Sequence, residues 1–320
     1  MKRLLPLLLT LVFILAAASA QAGPVPKNGE KFLVGISTPD ADHGWTGGIV
    51  WWASQAVKEF GAQHQNVEFI YRTATSEKEQ ATQLEEMLAK NIDALVILPH
   101  RPAPLTTILN KINNSNAFIV VVDRSIPKVP KNVYLAGDNH GFGRECGLHL
   151  ARELGGKGNI LVMEGIPCEG NTLRVNGFKE GIKPHPEIVV MDSQPAYWSP
   201  PKSYELMLQY LQKFPQIDAI WCGDDDVLET AVQAYKESGR TDIKFFLGGG
   251  GSKRIIKMIL DNDPLVHATV TYPPKMVHEG VRLAVERLTK GTTFPKEIVI
   301  PSEIVTRKNA EAFYYPDGIY

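Results

Sequence analysis

From Phe32 onward, short apolar runs rich in β-branched residues alternate with longer segments whose apolar residues recur every three or four positions. Residues 32–37, 67–71, 94–98 and 118–122 have the length and composition of strands. Residues 46–60, the segment from Ser76 to Lys90 and residues 105–114 have the spacing of helices. Ser76 stands three residues ahead of Glu79, a capping-box signature at the start of the second helix. The cycle then restarts. Strands are predicted at 159–164, 188–192, 219–222, 244–248 and 267–271, with helices at 174–182, 200–213 and 227–238. Such alternation implies βαβ units and parallel sheets covered on both faces.

The two cycles resemble each other. Lys58-Glu59 precedes a strand, a helix and then Ile92-Asp93-Ala94; Lys179-Glu180 precedes the same order, ending in Ile217-Asp218-Ala219. Matching motifs in matching places predict two similar α/β lobes, and 320 residues suit two domains. Open parallel sheets bind ligands outside the carboxyl ends of their strands. Two facing lobes would line one cleft with those ends.

Ahead of the first strand, Met1-Lys2-Arg3 precedes an almost wholly apolar stretch to Ala18 and then Ser19, Ala20, Gln21 and Ala22. This order predicts a secretory signal peptide, residues 1–22, cleaved after Ala20 or Ala22. The stretch is shorter than the roughly 20 residues of a spanning helix. The 34 basic and 35 acidic side chains leave a formal net charge of -1, which argues against nucleic acid or an anionic membrane as partner. Cys146, Cys168 and Cys222 are an odd count without CxxC spacing, so neither a disulfide framework nor a metal site is indicated. Cys168 and Cys222 each follow an apolar strand and could meet, but three buried free thiols is the preferred reading.

Chemistry gathers at the strand ends. Ser37, Thr38, Asp40, Asp42, His43, Trp45 and Thr46 follow the first strand, and Asp123-Arg124 follow the fourth. In the second half come Arg174, Tyr197-Trp198, Asp224-Asp225-Asp226 and Tyr272. Ionised groups bond hydroxyls strongly and aromatic faces cover C–H faces, so the set suits a neutral polyhydroxylated molecule. Structural roles compete. Two of the three consecutive aspartates read as cap and dipole partners of the following helix. Trp52 and Trp221 read as core, His267 as a structural strand residue, while Trp45 falls in a loop ahead of its helix. No GxSxG, HExxH or GxxxxGK[ST] motif is present. Gly248–Gly251 and Ser252 follow a strand like a phosphate cradle, but without its wider context they read as a flexible or tightly approaching loop.

These residues resemble the ribose-type periplasmic sugar-binding proteins of ABC importers. The likeness rests on Val122-Asp123-Arg124, Gly137-Asp138-Asn139, Arg174, Gln194-Pro195-Ala196-Tyr197-Trp198 and Gly223-Asp224-Asp225, and spans the chain beyond the signal peptide. It implies a type I periplasmic binding fold: two Rossmann-like lobes with parallel sheets joined by a three-segment hinge near Gly137, Tyr272–Pro274 and Pro301. Residues 31–137 plus 273–300 would form one lobe, and 138–272 plus 301–320 the other. The implied ligand set is Ser37, His43, Trp45, Asp123, Arg124, Arg174, Trp198, Asp224 and Tyr272, with the two indoles stacking on sugar. Implied too are a periplasmic monomer without cofactor or metal, a small neutral sugar or polyol, and an ABC permease or a chemoreceptor as partner. An amino acid, a nucleobase-like solute or a secreted glycoside hydrolase are the alternatives. The chain has Gly248–Gly251 where the family carries a further Asp, Leu98-Pro99-His100 where it carries Asn, and Asp224 where Asn is common. Those departures favour a different pentose, a tetrose or a linear sugar alcohol as readily as ribose.

Overall fold

The computed structural model describes residues 31–41, 43–101, 103–126 and 129–320. The expected signal peptide lies outside the described residues. The first part of the chain runs β1 (Phe32–Pro39), α1 (Gly44–Gln63), β2 (Val67–Ala74), α2 (Glu77–Ala89), β3 (Ala94–Ile97), α3 (Thr106–Asn114), β4 (Phe118–Val122) and β5 (Val133–Gly137). Then come α4 (Asn139–Glu153), β6 (Lys157–Glu164), α5 (Glu169–Ile182), β7 (Glu187–Pro195), α6 (Pro200–Lys213), β8 (Ala219–Cys222), α7 (Asp225–Ser238), β9 (Phe245–Leu247), α8 (Lys253–Leu260) and β10 (Ala268–Val270). The chain ends with α9 (Met276–Lys290), β11 (Glu297–Ile300) and β12 (Ile304–Thr306).

Six parallel strands form one sheet in the order β11-β5-β4-β3-β1-β2, and four form a second in the order β7-β6-β8-β9. β10 and β12 pair antiparallel as a separate ribbon. Continuous apolar strands such as β3 and β4 are buried along their whole length, as parallel strands covered on both faces must be. α2 and α3 cover one face of the first sheet, burying Leu84, Leu109 and Ile112 against Leu95 and Val121. The opposite face packs against α1 and α9 in a cluster that continues into the second lobe. There Phe178 of α5 stacks on Trp221 of β8, ring centroids 4.1 Å apart, which settles Trp221 as core.

The predicted strands and helices recur with shifted ends, and β5, α4, α8, α9, β11 and β12 lie outside the predicted segments. α4 escaped the periodicity because glycines, not apolar side chains, make its main contact. A Cβ on Gly143 would lie 1.8 Å from the Arg174 carbonyl oxygen, and one on Gly177 2.0 Å from that of His140. The two backbones therefore meet without side chains between them, which fixes α5 against α4. At α2, Ser76 Oγ accepts from the Glu79 amide at 3.2 Å, but the Glu79 carboxylate reaches back to Thr75 rather than Ser76. The cap forms one residue wider than the sequence box implies.

Candidate functional site

The carboxyl ends of both sheets border one cavity of about 720 Å³. From the first sheet come the β1–α1 loop and the residues after β4; from the second, those after β7, β8 and β9. The chain passes between sheets at Gly137–Asn139, near Tyr272 and after Ile300, and all three passages lie beside the cavity or its floor.

A chain of hydrogen bonds crosses that floor. Tyr272 donates its hydroxyl to Asp123 Oδ1 at 2.6 Å and accepts from Asn139 Nδ2 at 3.0 Å. Asn139 Oδ1 accepts from Arg174 Nε at 2.8 Å, and Arg174 Nη1 donates to the Gly223 carbonyl at 2.8 Å. Side chains after strands of both sheets are thus held in register through one amide. The Arg174 guanidinium lies 4.3 Å from the centre of the Phe142 ring, 4.5 Å from that of Tyr272 and 5.6 Å from that of Trp198. The charge is buried, and its Nη2 has no protein acceptor among the described residues. An arginine bonded through two of its nitrogens and braced by three rings is pre-organised to donate to a third partner.

Backbone geometry aims two of these groups. Asp123 has φ 58°, and the consecutive Tyr197 and Trp198 have φ 60° and 52°. Such left-handed non-glycine residues cost on the order of 1 kcal/mol or more each and concentrate at binding sites. Asp123 is held there by its amide on Leu135 O (2.8 Å) and by Tyr134 Oη on its own carbonyl (2.7 Å). Trp198 lies flat against Gly165, where a Cβ would come within 2.2 Å of the indole.

The three consecutive aspartates have three different jobs. Asp224 caps α7, its Oδ1 accepting from the Val227 amide at 2.8 Å, and still borders the cavity. Burial, with Asp226 close by, pushes its carboxyl well above the usual range, against the pull of Arg174. Asp225 braces the glycine loop: its carboxylate accepts from the Gly251 amide (2.9 Å), the Ser252 amide (2.8 Å) and the Thr269 hydroxyl (2.9 Å). Burial nevertheless raises it to about 7. Asp226 crosses to the first lobe and accepts from the Gly44 amide at 3.0 Å. Asp225 and Asp226 do lie in the first turn of α7, as the sequence reading has the helix partners, and each makes in addition a tertiary contact that the reading lacked. The loop itself is a close approach, since a Cβ on Gly249 would lie 1.9 Å from the Phe142 ring. Its amides already serve a carboxylate, so it is no phosphate cradle.

Of the nine residues expected in the site, His43, Trp45, Asp123, Arg124, Arg174, Trp198, Asp224 and Tyr272 border the cavity. Ser37 does not. It lies fully buried inside the first sheet, where its Oγ accepts from Gln80 Nε2 at 3.1 Å, because β1 extends two residues beyond the predicted end. Trp45 sits in the first turn of α1, not in a loop, and donates Nε1 to the Tyr272 carbonyl at 2.9 Å. Arg174 falls in the second turn of α5 instead of opening it. Arg124 borders the cavity but donates Nη1 to the Pro99 and His100 carbonyls, at 3.2 and 2.8 Å. The thiols are all free; Cys146 and Cys222 are buried, whereas Cys168 is exposed at the cleft, contrary to the expectation of three buried thiols. Asn139, Asp226 and Tyr320 were missed as site residues. Asn139 stood in the quoted crossing motif Gly137-Asp138-Asn139 and Asp226 in the acidic triplet, whereas nothing in the sequence pointed to Tyr320.

Residues 34–292 match the family model described as the periplasmic binding protein domain. The chain belongs to the periplasmic binding protein family. A ribose import binding protein of Bacillus subtilis is 24% identical over 315 residues, covering 96% of this chain and 100% of that protein. A xylitol-binding protein of Mycolicibacterium smegmatis is 25% identical over 302 residues, 93% of this chain and 83% of its own length. Among solved structures, an ABC transporter solute-binding protein of Bacillus halodurans with bound myo-inositol superposes with a TM-score of 0.76 at 23% identity, covering 89% of this chain and 97% of that one. Family and fold agree with the expected type I architecture, and the proteins matched are transport binding proteins rather than enzymes. As a periplasmic binding protein, the chain uses its glycine loop in a local way. Gly249 and Gly250 stand where the family likeness led to expect an acid, and the aromatic rings of Phe142 and Tyr320 fill the space.

Proposed function

We propose that this protein captures a neutral monosaccharide or sugar alcohol between its lobes, 31–137 plus 273–300 and 138–272 plus 301–320, and delivers it to an ABC permease. The observation that carries this reading is the floor chain Asp123–Tyr272–Asn139–Arg174, which presents a carboxylate and a guanidinium to one cavity from opposite lobes. A polyol hydroxyl both donates and accepts, so one ligand satisfies both groups at once. Trp45 and Trp198 cover its C–H faces, with His43, Arg124 and Asp224 adding polar contacts. Only the closed arrangement makes both sets of contacts, so binding shifts the protein toward it. The closed surface is what a permease or chemoreceptor recognises in the periplasm, and the protein acts as a monomer. Ribose, xylitol and myo-inositol in the names of the relatives fit this ligand class. The consecutive aspartates do not favour an ammonium ligand, because Asp225 and Asp226 are already engaged by protein amides.

A thermal-shift panel of D-ribose, other pentoses, hexoses, xylitol, ribitol, myo-inositol and amino acids tests the reading. One or more neutral polyhydroxylated compounds raises the melting temperature by several degrees. Stabilisation by amino acids alone overturns it.

A further inference from the structure

Tyr320 sits where no sequence motif pointed. Its ring passes between the lobes and borders the cavity alongside Asp224 and Gly250. The residue is only 9% exposed, and its hydroxyl makes no hydrogen bond among the described residues. Each lobe supplies a glycine that leaves room for it. On α1 of the first lobe, a Cβ on Gly48 would lie 2.9 Å from Tyr320 Cβ; in the second, one on Gly250 would lie 2.1 Å from its hydroxyl oxygen.

The segment leading to it is tied to both lobes. Lys253 of α8 donates Nζ to the Pro316 carbonyl at 3.3 Å and to that of Gly318, and the Gly318 amide closes a turn on Tyr315 O at 3.0 Å. Tyr315 in turn meets Trp52 of α1 edge-on, centroids 5.0 Å apart, with Lys275 Nζ 4.9 Å from the Trp52 ring centre. Ile319 reaches the surface of α1 at Gly47, where a Cβ would be 3.5 Å away. The segment is therefore a strap across the cleft, and the tyrosine at its tip is placed, not left over.

We propose that Tyr320 is a ligand-contacting, specificity-determining residue, its phenol donating a hydrogen bond to the sugar or polyol hydroxyl that Asp224 accepts from. Its burial beside three carboxylates keeps the phenol protonated, so it can donate next to Asp224, which can accept. One ligand hydroxyl lying between Asp224 and Tyr320 has both its donor and an acceptor lone pair satisfied. A ligand without a hydroxyl there leaves the phenol and the second Asp224 oxygen without a ligand partner, which discriminates through one contact.

The proposal rests on the polyol reading, and its test separates the two. Calorimetry with D-ribose, xylitol, D-allose and myo-inositol is run on the wild-type protein and on Tyr320→Phe, which keeps the ring in place and removes one oxygen. For whichever probe binds, Tyr320→Phe weakens affinity about tenfold while the ligand-free melting temperature is unchanged. A deoxy analogue of that probe lacking the hydroxyl Tyr320 contacts is bound equally by both proteins, the non-additivity expected of a direct contact. Equal affinity of the two proteins for every probe overturns the assignment, as does weaker binding accompanied by a lowered ligand-free melting temperature and no dependence on any single hydroxyl. Where none of the four binds, the compound found by the thermal-shift panel takes their place, and stabilisation by amino acids alone overturns the polyol reading instead, and the assignment with it.

Discussion

The two ends of the cleft are built differently. At one end the lobes touch: Asp226 accepts from the Gly44 amide, Tyr320 passes between Gly48 and Gly250, and Asp224 is 7% exposed. At the other, Tyr134, Glu169, Leu173, Glu297 and Val299 border the same cavity, with Val299 51% and Leu173 39% exposed. The latched end is buried and rich in carboxylates whose protonation is perturbed upward by burial. The open end presents apolar side chains and water-facing charges. Electrostatic contacts are stronger where water is excluded, so the proposed function assigns recognition to the latched end and passage of the ligand to the open one. Arg174 stands between them.

Removing that residue has the largest expected effect. Arg174→Ala takes away the guanidinium that reaches Asn139 and Gly223 at the floor and removes the donor from both acceptors. Affinity for the tightest probe of the panel falls at least 100-fold by calorimetry, from a lost charged donor plus loosened lobe register. Circular dichroism stays native, because the α4–α5 contact rests on backbone and not on the guanidinium. Retained affinity would place recognition away from the floor chain.

Gly44→Ala attacks the latch alone. A Cβ there would lie 2.3 Å from Asp226 Oδ1, so the contact between lobes must part. The closed form loses a charged hydrogen bond, and affinity weakens about tenfold through the conformational equilibrium rather than through ligand contacts. Small-angle scattering of the ligand-free variant shows a larger radius of gyration than wild type. An unchanged radius would mean that the lobes are held together elsewhere.

Much of the scaffold for this comparison is legible in the sequence, because buried parallel strands and their covering helices each leave a periodic signature. The residues after strand ends could be found by counting, which is why eight of the nine expected site residues border the cavity. Ser37 failed because a one- or two-residue error in a strand end moves a side chain from the cleft into the sheet. Asn139 was hidden for a different reason: its helix, α4, packs through glycines and leaves no apolar stripe. Asp226 and Tyr320 act across lobes, at separations that no local pattern encodes, and adjacent aspartates with identical letters diverge only through what tertiary packing brings near each. Local chemistry is readable; interlobe chemistry is not.

The pH profile distinguishes the ends by a smaller effect. Burial raises the folded-state value of Asp225 to about 7, whereas an unfolded aspartate titrates near 3.9. Between those values the folded protein holds more protons than the unfolded chain, so this contribution to stability is complete below about pH 4 and is lost as pH rises through 7. Asp224 and Asp226 are raised too and act in the same direction. The carboxylates held low by partners, Asp192, Asp218 and Asp242, act below pH 4 and do not oppose the trend in this window. His149, which burial lowers to about 4, acts the opposite way between about pH 4 and 6.5, so the expected reading is a difference between proteins: from pH 5 to pH 8 the wild type loses a few degrees of melting temperature relative to Asp225→Asn. A slope unaffected by Asp225→Asn would show that its three donors keep the carboxylate ionised throughout.

The smallest effect is expected at the open end, and it is the sharpest check on the asymmetry. Val299→Thr keeps the shape of a half-exposed side chain and adds a hydroxyl that water can satisfy. Stability changes by less than about 0.5 kcal/mol, as for other exposed positions. With recognition at Asp123, Arg174 and Asp224 as proposed, affinity for a monosaccharide-sized ligand changes less than about twofold. A cavity of about 720 Å³ has room beyond one sugar ring, however, and the added space lies toward Tyr134, Leu173 and Val299. Should Val299→Thr alter affinity tenfold for a panel member, that ligand extends along the cleft, and the open end is a second recognition surface rather than a passage.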